Sequence, residues 1–277
     1  MSTLPITVHQ IYLQDTSYLE VNRNPKYDWG KSWKKLNPIF DHKLWNDRLI
    51  IEMMESREAY KSYLNYYKTL QKWISKLDFA KYIILYEYGG IYADLDTVAI
   101  KPMKNVIDQL YSDSSKSVLL SYCDPVLQKL FVKRLYGLKL TTNIVNTGVI
   151  VAKKQSPFLK RLLDSIVSNN KYINTDFENV KYIGPIQVTM QIQKDNTNGM
   201  NETVVLPHNT FESPDQTPDS YSIHEHHQSW DSEKQLEIIT KDNGILASEN
   251  KMSRPFPNSP QNQDRSSSTL TVEEALL

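Results

Sequence analysis

The sequence has a single cysteine, no net charge and no long apolar run. Cys123 alone cannot form an internal disulfide, which fits a reducing compartment. The 32 basic residues balance 32 acidic ones, so the chain lacks the basic surplus of general nucleic-acid binders. Its longest apolar run, residues 82–86, is far below the roughly 20 residues of a membrane helix. We therefore expect neither a nucleic-acid partner nor a transmembrane segment.

Composition indicates a folded domain followed by a polar tail. Of the 277 residues, 40% are hydrophobic and 23% are charged, as is usual for soluble globular proteins. Residues 248–268 are instead rich in Ser, Asn, Gln and Pro and have almost no aliphatic side chains. Such a segment cannot bury enough apolar surface to offset its ordering entropy. We predict one domain over residues 1–240 and a disordered tail over residues 241–277.

Strand and helix patterns alternate along the predicted domain. Strands are predicted over residues 6–13, 39–45, 91–93, 118–122 and 145–152. Helices are predicted over residues 28–36, 47–56, 69–88, 157–167 and 185–193, with Ser156 as the cap of the fourth. Strands that alternate with helices favour an α/β fold with a mainly parallel sheet covered on both faces.

The densest chemical signal is the segment YGGIYADLDT, residues 88–97. In an extended segment, Asp94 and Asp96 would point the same way and could share one divalent cation, directly or through water. Carboxylate oxygens suit Mg²⁺ and Mn²⁺, which can neutralise a diphosphate leaving group. By chance such a pair occurs about once in a chain with this many aspartates. Its setting is more informative, because it follows a short strand after a glycine pair, where ligands bind in open α/β sheets.

A second enzyme class shares part of this pattern. Residues 94–98, DLDTV, also fit the signature of haloacid-dehalogenase-type phosphatases, in which the first aspartate, here Asp94, is a covalent nucleophile. That signature is expected after a buried strand near the start of a chain. Here it follows a long predicted helix and Gly89-Gly90, so the phosphatase remains the alternative.

An ordered series of further motifs resembles one enzyme family. The motifs are HQIY at residues 9–12, SWKKLNP at 32–38, LWND at 44–47, LDFAKY at 77–82, YGGIYADLD at 88–96, NTG at 146–148, YIGP at 182–185 and IHEHHQSW at 223–230. The series resembles family 32 glycosyltransferases, the yeast-type mannosyltransferases and their relatives, and more distantly the glucosyltransferase domain of clostridial toxins. The resemblance implies a GT-A type, Rossmann-like α/β domain with a mixed, mostly parallel sheet.

The same resemblance implies a retaining, metal-dependent glycosyltransferase. Such an enzyme moves a hexose from a nucleotide-diphosphate sugar, a UDP-hexose or GDP-mannose, to a hydroxyl of a glycan, lipid or protein acceptor. Because the first matching strand begins near residue 6, we expect a cytoplasmic enzyme, free or peripheral to a membrane. A catalytically inactive sugar-binding protein on the same fold is a further alternative, and turnover would distinguish the two.

The metal and catalytic residues follow from the resemblance. Asp94 would face the ribose and sugar of the donor and reach the ion through water, whereas Asp96 would bind Mn²⁺ (or Mg²⁺) directly. His224 is the best candidate for a further protein ligand, with Glu225 or His226 as alternatives. Asp94, Asp96 and Asn146 are the implied catalytic residues, with the amide of Asn146 at the reacting face of the donor sugar.

The donor-binding set implied by the resemblance is His9, Gln10, Tyr12, Asp78, Lys81, Tyr92, Asp94 and Trp230. Tyr12 stands where relatives have Trp beside the base, and Lys81 where the family usually has Arg. Judged from the residues alone, simple packing with a satisfied core imidazole is favoured for His9 and Gln10. Asp78 and Lys81 can likewise be an ordinary ion pair on a helix surface.

Overall fold

The computed structural model of the protein describes residues 6–13, 30–125, 128, 143–212 and 217–225. The strands are β1 Thr7–Ile11, β2 Asp41–Trp45, β3 Gly90–Ala93, β4 Thr97–Ala99, β5 Val118–Ser121, β6 Val149–Ala152, β7 Thr203–Leu206 and β8 Ser222–His224. The α-helices are α1 Lys31–Leu36, α2 Asp47–Glu55, α3 Lys61–Thr69, α4 Trp73–Tyr88, α5 Lys104–Ser112, α6 Pro157–Asn169, α7 Asp176–Tyr182 and α8 Pro185–Thr197.

Within the described part of the chain, the main sheet has six strands in the order β2-β1-β3-β6-β5-β7. Strand β6 runs antiparallel to both of its neighbours, and the other five strands run in one direction. The predicted α/β fold with a mixed, mostly parallel sheet is confirmed. A separate two-stranded antiparallel ladder joins β4 to β8.

Both faces of the sheet are covered, because successive side chains of each strand enter different cores. Ile91 and Ala93 of β3 belong to the core that contains Trp33 and the apolar face of α5. Tyr92, between them, belongs to the larger core formed with α3, α4 and α6. Strand β3 is buried over its whole length, so its carboxyl end is held rigidly.

A glycine pair makes the connection from α4 to β3. Gly89 and Gly90 have φ angles of +67° and +94°, which residues other than glycine rarely adopt. A Cβ on Gly90 would lie 2.3 Å from the carbonyl oxygen of Thr7 in β1. Glycine therefore permits both the turn and the close approach of β1 to β3.

Several predicted boundaries differ from the structure. The helix predicted from residue 69 begins at Trp73, because residues 61–69 form the separate helix α3, which the sequence pattern did not reveal. Strand β6 starts at Val149 rather than at residue 145, and Val145 instead forms an isolated bridge with Tyr122. Helices α5 and α7 and strands β4, β7 and β8 were also not predicted.

Other predictions match the structure or fall outside its described part. Ser156 caps α6 by accepting a hydrogen bond from the backbone N–H of Leu159. The domain boundary at residue 240 and the tail over residues 241–277 lie outside the described residues, so they stay predictions. None of the helices in the described part of the chain combines the length and the apolar character that crossing a lipid bilayer requires.

Candidate functional site

A tight turn between β3 and β4 carries the two aspartates. The carbonyl oxygen of Asp94 accepts hydrogen bonds from the backbone N–H of Thr97, at 3.1 Å, and from its hydroxyl, at 2.6 Å. The backbone N–H of Asp94 donates to the carbonyl of Gly148 at 2.8 Å. The extended geometry expected for residues 94–96 is therefore wrong, since the turn and not a strand brings the carboxylates together.

The ladder of β4 and β8 brings His224 to this turn. Thr97 is the register partner of His224, and the backbone N–H of Glu225 donates to the carbonyl of Asp96 at 2.9 Å. The Nε2 atom of His224 consequently lies 3.2 Å from Asp96 Oδ1 and 3.9 Å from Asp94 Oδ2. One ligand atom from each of the three residues lies within 4.8 Å of the others.

The ligand atoms of this cluster fit a hard or borderline divalent cation. Two carboxylates and one imidazole suit Mn²⁺, and the carboxylates suit Mg²⁺. The three side chains are partly accessible, at 23% for Asp94, 22% for Asp96 and 12% for His224, so an ion can enter. Glu225 is exposed and does not belong to the cluster found among the described residues. His226 lies outside the described residues.

The electrostatics of the cluster favour positive charge. Burial raises the pKa of Asp94 to about 6, against the opposing charge of Lys81. Burial lowers the pKa of His224, but the carboxyl groups of Asp96, Glu212 and Asp94 outweigh it and raise the pKa to about 10. An imidazolium held between carboxylates at neutral pH indicates a site that stabilises a cation.

Tyr92 and Lys81 support Asp94 from inside the protein. The hydroxyl of Tyr92, which is buried, donates to Asp94 Oδ1 at 2.5 Å. The ammonium group of Lys81 lies 5.3 Å from the centre of the Tyr92 ring. With one oxygen held by Tyr92, Asp94 directs its other oxygen, Oδ2, towards His224.

Lys81 and Asp78 form a buried pair. The Lys81 Nζ atom lies 2.5 Å from Asp78 Oδ1 and donates to the carbonyl and hydroxyl oxygens of Thr147, at 3.1 and 3.2 Å. Asp78 Oδ2 accepts from the amide of Asn179 at 2.7 Å. The interpretation as a surface ion pair is wrong, because Asp78 is 5% and Lys81 2% exposed.

The residues predicted on β1 lie at the carboxyl end of that strand. Trp45 donates to His9 Nδ1 at 3.1 Å, which assigns the ring proton to Nε2, and Nε2 donates to the carbonyl of Gly89 at 3.0 Å. Burial lowers the pKa of His9 to about 4, so the ring is neutral and both its nitrogens bond inside the protein. Gln10 is 7% exposed, and its buried Nε2 has no hydrogen-bond partner among the described residues. Tyr12 is partly exposed.

Asn146 shapes the loop beside Asp94. Its side-chain oxygen accepts the backbone N–H of Gly148, and its own backbone N–H donates to Ser121 at 2.8 Å. Asn146 is 6% exposed. Its hydrogen bonds hold the loop in which the carbonyl of Gly148 accepts the backbone N–H of Asp94. Trp230 lies outside the described residues.

Two residues next to His224 had no predicted role. The side chain of Glu212 is fully buried, and its Oε1 lies 3.7 Å from His224 Nδ1. A Cβ added to Gly148 would lie 2.6 Å from Cε1 of the same ring, so glycine leaves space for the ring at that position. No sequence signal identifies Glu212, because it stands alone in a segment without a motif and reaches the site only through folding.

Part of the first half of the chain matches a known family model. Residues 27–113 match the family model described as "Glycosyltransferase sugar-binding region containing DXD motif". This region includes Asp78, Lys81, Asp94 and Asp96, and the match confirms the resemblance that the sequence motifs indicated. His224 lies outside the matched region.

Curated relatives match over short stretches. The initiation-specific alpha-1,6-mannosyltransferase of Candida albicans is 34% identical over 89 residues, which are 31% of this chain and 22% of that protein. Inositol phosphoceramide mannosyltransferase 1 of Schizosaccharomyces pombe is 38% identical over 66 residues, or 24% and 20% of the two chains. HOC1 of Saccharomyces cerevisiae is 29% identical over 136 residues, or 49% and 33%. The matches thus span a third or less of these relatives.

Solved glycosyltransferase structures are similar at low identity. The PaToxG glycosyltransferase superposes with a TM-score of 0.44 at 15% identity and covers 70% of each chain. The galactosyltransferase LgtC superposes with a TM-score of 0.44 at 11% identity, over 90% of this chain and 98% of the other.

Proposed function

We propose that this protein is a retaining glycosyltransferase that depends on a divalent metal ion. It moves a hexose from a nucleotide-diphosphate sugar to a hydroxyl of a glycan, lipid or protein acceptor. The observation that carries this proposal is the cluster of Asp94, Asp96 and His224 at the carboxyl end of β3. Its two aspartates belong to the region that matches the family model, and its ligand atoms suit Mn²⁺ or Mg²⁺.

In the proposed mechanism, Asp96 and His224 would hold the ion directly, and Asp94 would reach it through water. When bound, the ion neutralises the charge that develops on the departing nucleoside diphosphate. The protein keeps Asp94 in place through Tyr92 and through the charge of Lys81. Because these supports are buried and hydrogen bonded, the site needs little reorganisation when the donor arrives.

The donor is proposed to lie along the carboxyl ends of β1 and β3. Tyr12 is proposed to stack on the base. The Nε2 of Gln10, which has no hydrogen-bond partner among the described residues, is proposed to donate a hydrogen bond to the nucleoside. Asp78, Lys81 and Asn146 are proposed to meet the sugar, with Trp230 closing over it. His9 contributes by holding Trp45 and Gly89 in position rather than by direct contact.

The names of the relatives suggest which donor to test first. Those of Candida albicans and Schizosaccharomyces pombe are named mannosyltransferases, so GDP-mannose is the first candidate and a UDP-hexose the second. Retention of the anomeric configuration is part of the proposal and would appear in the NMR coupling constants of the product. The cytoplasmic location expected from the sequence stays a prediction.

The family match favours the glycosyltransferase over the phosphatase alternative. The same aspartates that fit the phosphatase signature belong to residues 27–113, which match a sugar-binding region. A phosphatase would form an aspartyl phosphate on Asp94 and would be trapped by a fluoroberyllate mimic. An inactive sugar-binding protein would bind the donor without releasing nucleotide.

The test is a donor panel with and without Mn²⁺. We expect Mn²⁺-dependent binding of one nucleotide sugar by calorimetry, and release of its nucleotide when acceptor is supplied. The Asp96→Asn variant should lose metal-dependent binding, whereas Asp108→Asn, an exposed aspartate on α5 paired with Lys104, should retain it. Failure of the wild-type protein to bind any donor in the presence of Mn²⁺ or Mg²⁺ would refute the proposal.

A further inference from the structure

We infer that Glu212 is a positioning residue that orients the imidazole of His224 towards Asp94 and Asp96. This inference deepens the proposed function and rests on the proposed metal site. The side chain of Glu212 is fully buried, and its Oε1 lies 3.7 Å from His224 Nδ1. On the opposite side of the ring, Nε2 lies 3.2 Å from Asp96 Oδ1. The ring therefore lies between a carboxyl group behind it and the cluster in front.

The carboxyl group of Glu212 is anchored. Its second oxygen, Oε2, accepts the backbone N–H of Asp124, at the end of the segment that follows β5. The backbone N–H of Glu212 donates to the carbonyl of His208, at 3.1 Å, just after the short 3-10 turn His208–Thr210. Since both its backbone and one of its oxygens are held, Glu212 presents Oε1 to the ring from a fixed position.

The segment with Glu212 is also tied to the strand that carries His224. The backbone N–H of Tyr221 donates to Thr210 at 2.8 Å, and the hydroxyl of Ser222 donates to the carbonyl of Phe211 at 3.1 Å. These bonds join the 3-10 turn to the start of β8. Glu212 and His224 therefore belong to one hydrogen-bonded unit, which is docked on the aspartate turn through β4.

The edge of the imidazole rests on the backbone of Gly148. A Cβ at that position would lie 2.6 Å from Cε1 and 2.9 Å from Nδ1 of His224. The ring thus fits a narrow space between Gly148, Glu212 and Asp96. In such a space the main freedom left to the ring is a flip about its Cβ–Cγ bond.

A flip would exchange Nδ1 with Cδ2 and Nε2 with Cε1. Carbon atoms would then face Asp96 and Glu212, and the metal cluster would lose its nitrogen ligand. With Glu212 behind the ring, the observed orientation directs Nδ1 at a carboxyl oxygen that lies 3.7 Å away. Glu212 therefore selects both the ring orientation and the tautomer in which Nε2 is the ligand.

Removing Glu212 should lower metal affinity by the amount that is usual when the carboxylate partner of a metal-binding histidine is lost. Removal of such carboxylates from metal-binding histidines weakens metal binding by about 10–100-fold. A purely structural role of Glu212, through its bond to Asp124, would instead lower the stability of the fold and leave the affinity of the folded protein for metal unchanged. The two roles are therefore separable by measurement.

The experiment compares Glu212→Gln with Glu87→Gln. Glu87 is another buried glutamate, but its partners are Arg57 and Tyr60. Mn²⁺ affinity is measured on donor-free protein by electron paramagnetic resonance, and folding is checked by circular dichroism. We expect affinity to fall by about 10–100-fold in Glu212→Gln and to stay within about twofold of wild type in Glu87→Gln. If Glu212→Gln does not fold, Glu212→Asp, which shortens the side chain, replaces it with the same expectation of weaker binding.

A spectroscopic readout tests the orientation itself. In the Mg²⁺-bound wild-type protein, ¹⁵N NMR should show His224 protonated at Nδ1 and unprotonated at Nε2. The glutamine variant should show a mixture of both forms. An affinity equal to that of wild type together with an unchanged ¹⁵N pattern would overturn the inference and leave the proposed function standing. Absence of Mn²⁺ and Mg²⁺ binding by the wild-type protein would overturn both.

Discussion

Replacement of Gly148 by alanine should displace the His224 ring and leave the rest of the fold in place. The new methyl group would lie 2.6 Å from Cε1 of the ring, whereas ordinary contacts begin at 3.4 Å. The ring must therefore move by about 0.8 Å or more to relieve the overlap. Gly148 has no positive φ angle, so alanine adds no backbone strain there.

The effect on metal binding follows from the size of this shift. Metal–ligand distances in proteins vary by only about 0.2 Å, so a displacement of 0.8 Å removes the His224 ligand. We expect Mn²⁺ affinity to fall by about 10–100-fold, the loss that is typical when the groups that orient a metal ligand are changed. The free energy of unfolding should change by no more than about 1 kcal/mol, since replacing glycine also reduces the entropy of the unfolded chain.

The assay is Mn²⁺ titration of Gly148→Ala followed by urea unfolding of the same protein. The matched control is Gly199→Ala, at a glycine with φ of +76°, where no heavy atom of the described part of the chain lies within 4 Å of the added Cβ. This control should lose about 1 kcal/mol of stability through backbone strain and keep its metal affinity.

A double-mutant cycle completes the test. In a His224→Ala background, where the ring is absent, the Gly148→Ala change should have no further effect on Mn²⁺ affinity. The reasoning is refuted if Gly148→Ala binds Mn²⁺ within about twofold of wild type. It is also refuted if the two substitutions weaken binding additively, because they would then act on separate features.

Two further predictions concern the buried polar groups. The pKa of His9 is about 4 in the fold and about 6.5 when unfolded, so the unfolded chain takes up the proton first as pH falls. Stability should therefore drop by about 3 kcal/mol between pH 6.5 and 4 in urea unfolding, and an equally steep drop in His9→Gln would contradict this. Lys81→Met leaves the carboxylate of Asp78 buried without its cation and should cost about 3–5 kcal/mol. Addition of Asp78→Asn should recover most of that lost stability. If urea unfolding shows that the double variant is no more stable than Lys81→Met alone, the prediction is wrong.

Features encoded by neighbouring residues were predictable. Apolar and periodic patterns predicted β1, β2, β3, β5 and β6 and the helices α1, α2, α4, α6 and α8, and Ser156 followed by Pro157 marks the start of a helix. Gly89-Gly90 before the aspartates indicated a sharp entry into β3, and both glycines have positive φ angles. Helix α3 was missed because its many tyrosines favour helix only weakly and are stabilised there by packing, as Tyr66 is on Phe79.

The surroundings of Asp78 and Lys81 depended on the packing of distant segments. Their spacing of three predicted one helix face, but helix α4 is buried on nearly all sides, which periodicity did not reveal. Thr147 and Asn179 complete the network from two other parts of the chain. A surface pair and a buried pair have the same sequence spacing, so burial alone distinguishes them.

By itself, the sequence determined that two carboxylates two residues apart follow a glycine turn, because that arrangement lies within ten residues of chain. The tertiary structure decided how the carboxylates meet and what else joins them. The hydrogen bonds of Asp94 with Thr97 and Gly148 make a turn, and the pairing of β4 with β8 delivers His224 and, behind it, Glu212. Contacts between residues so far apart depend on strand pairing and on burial across the whole domain, and no local pattern records them.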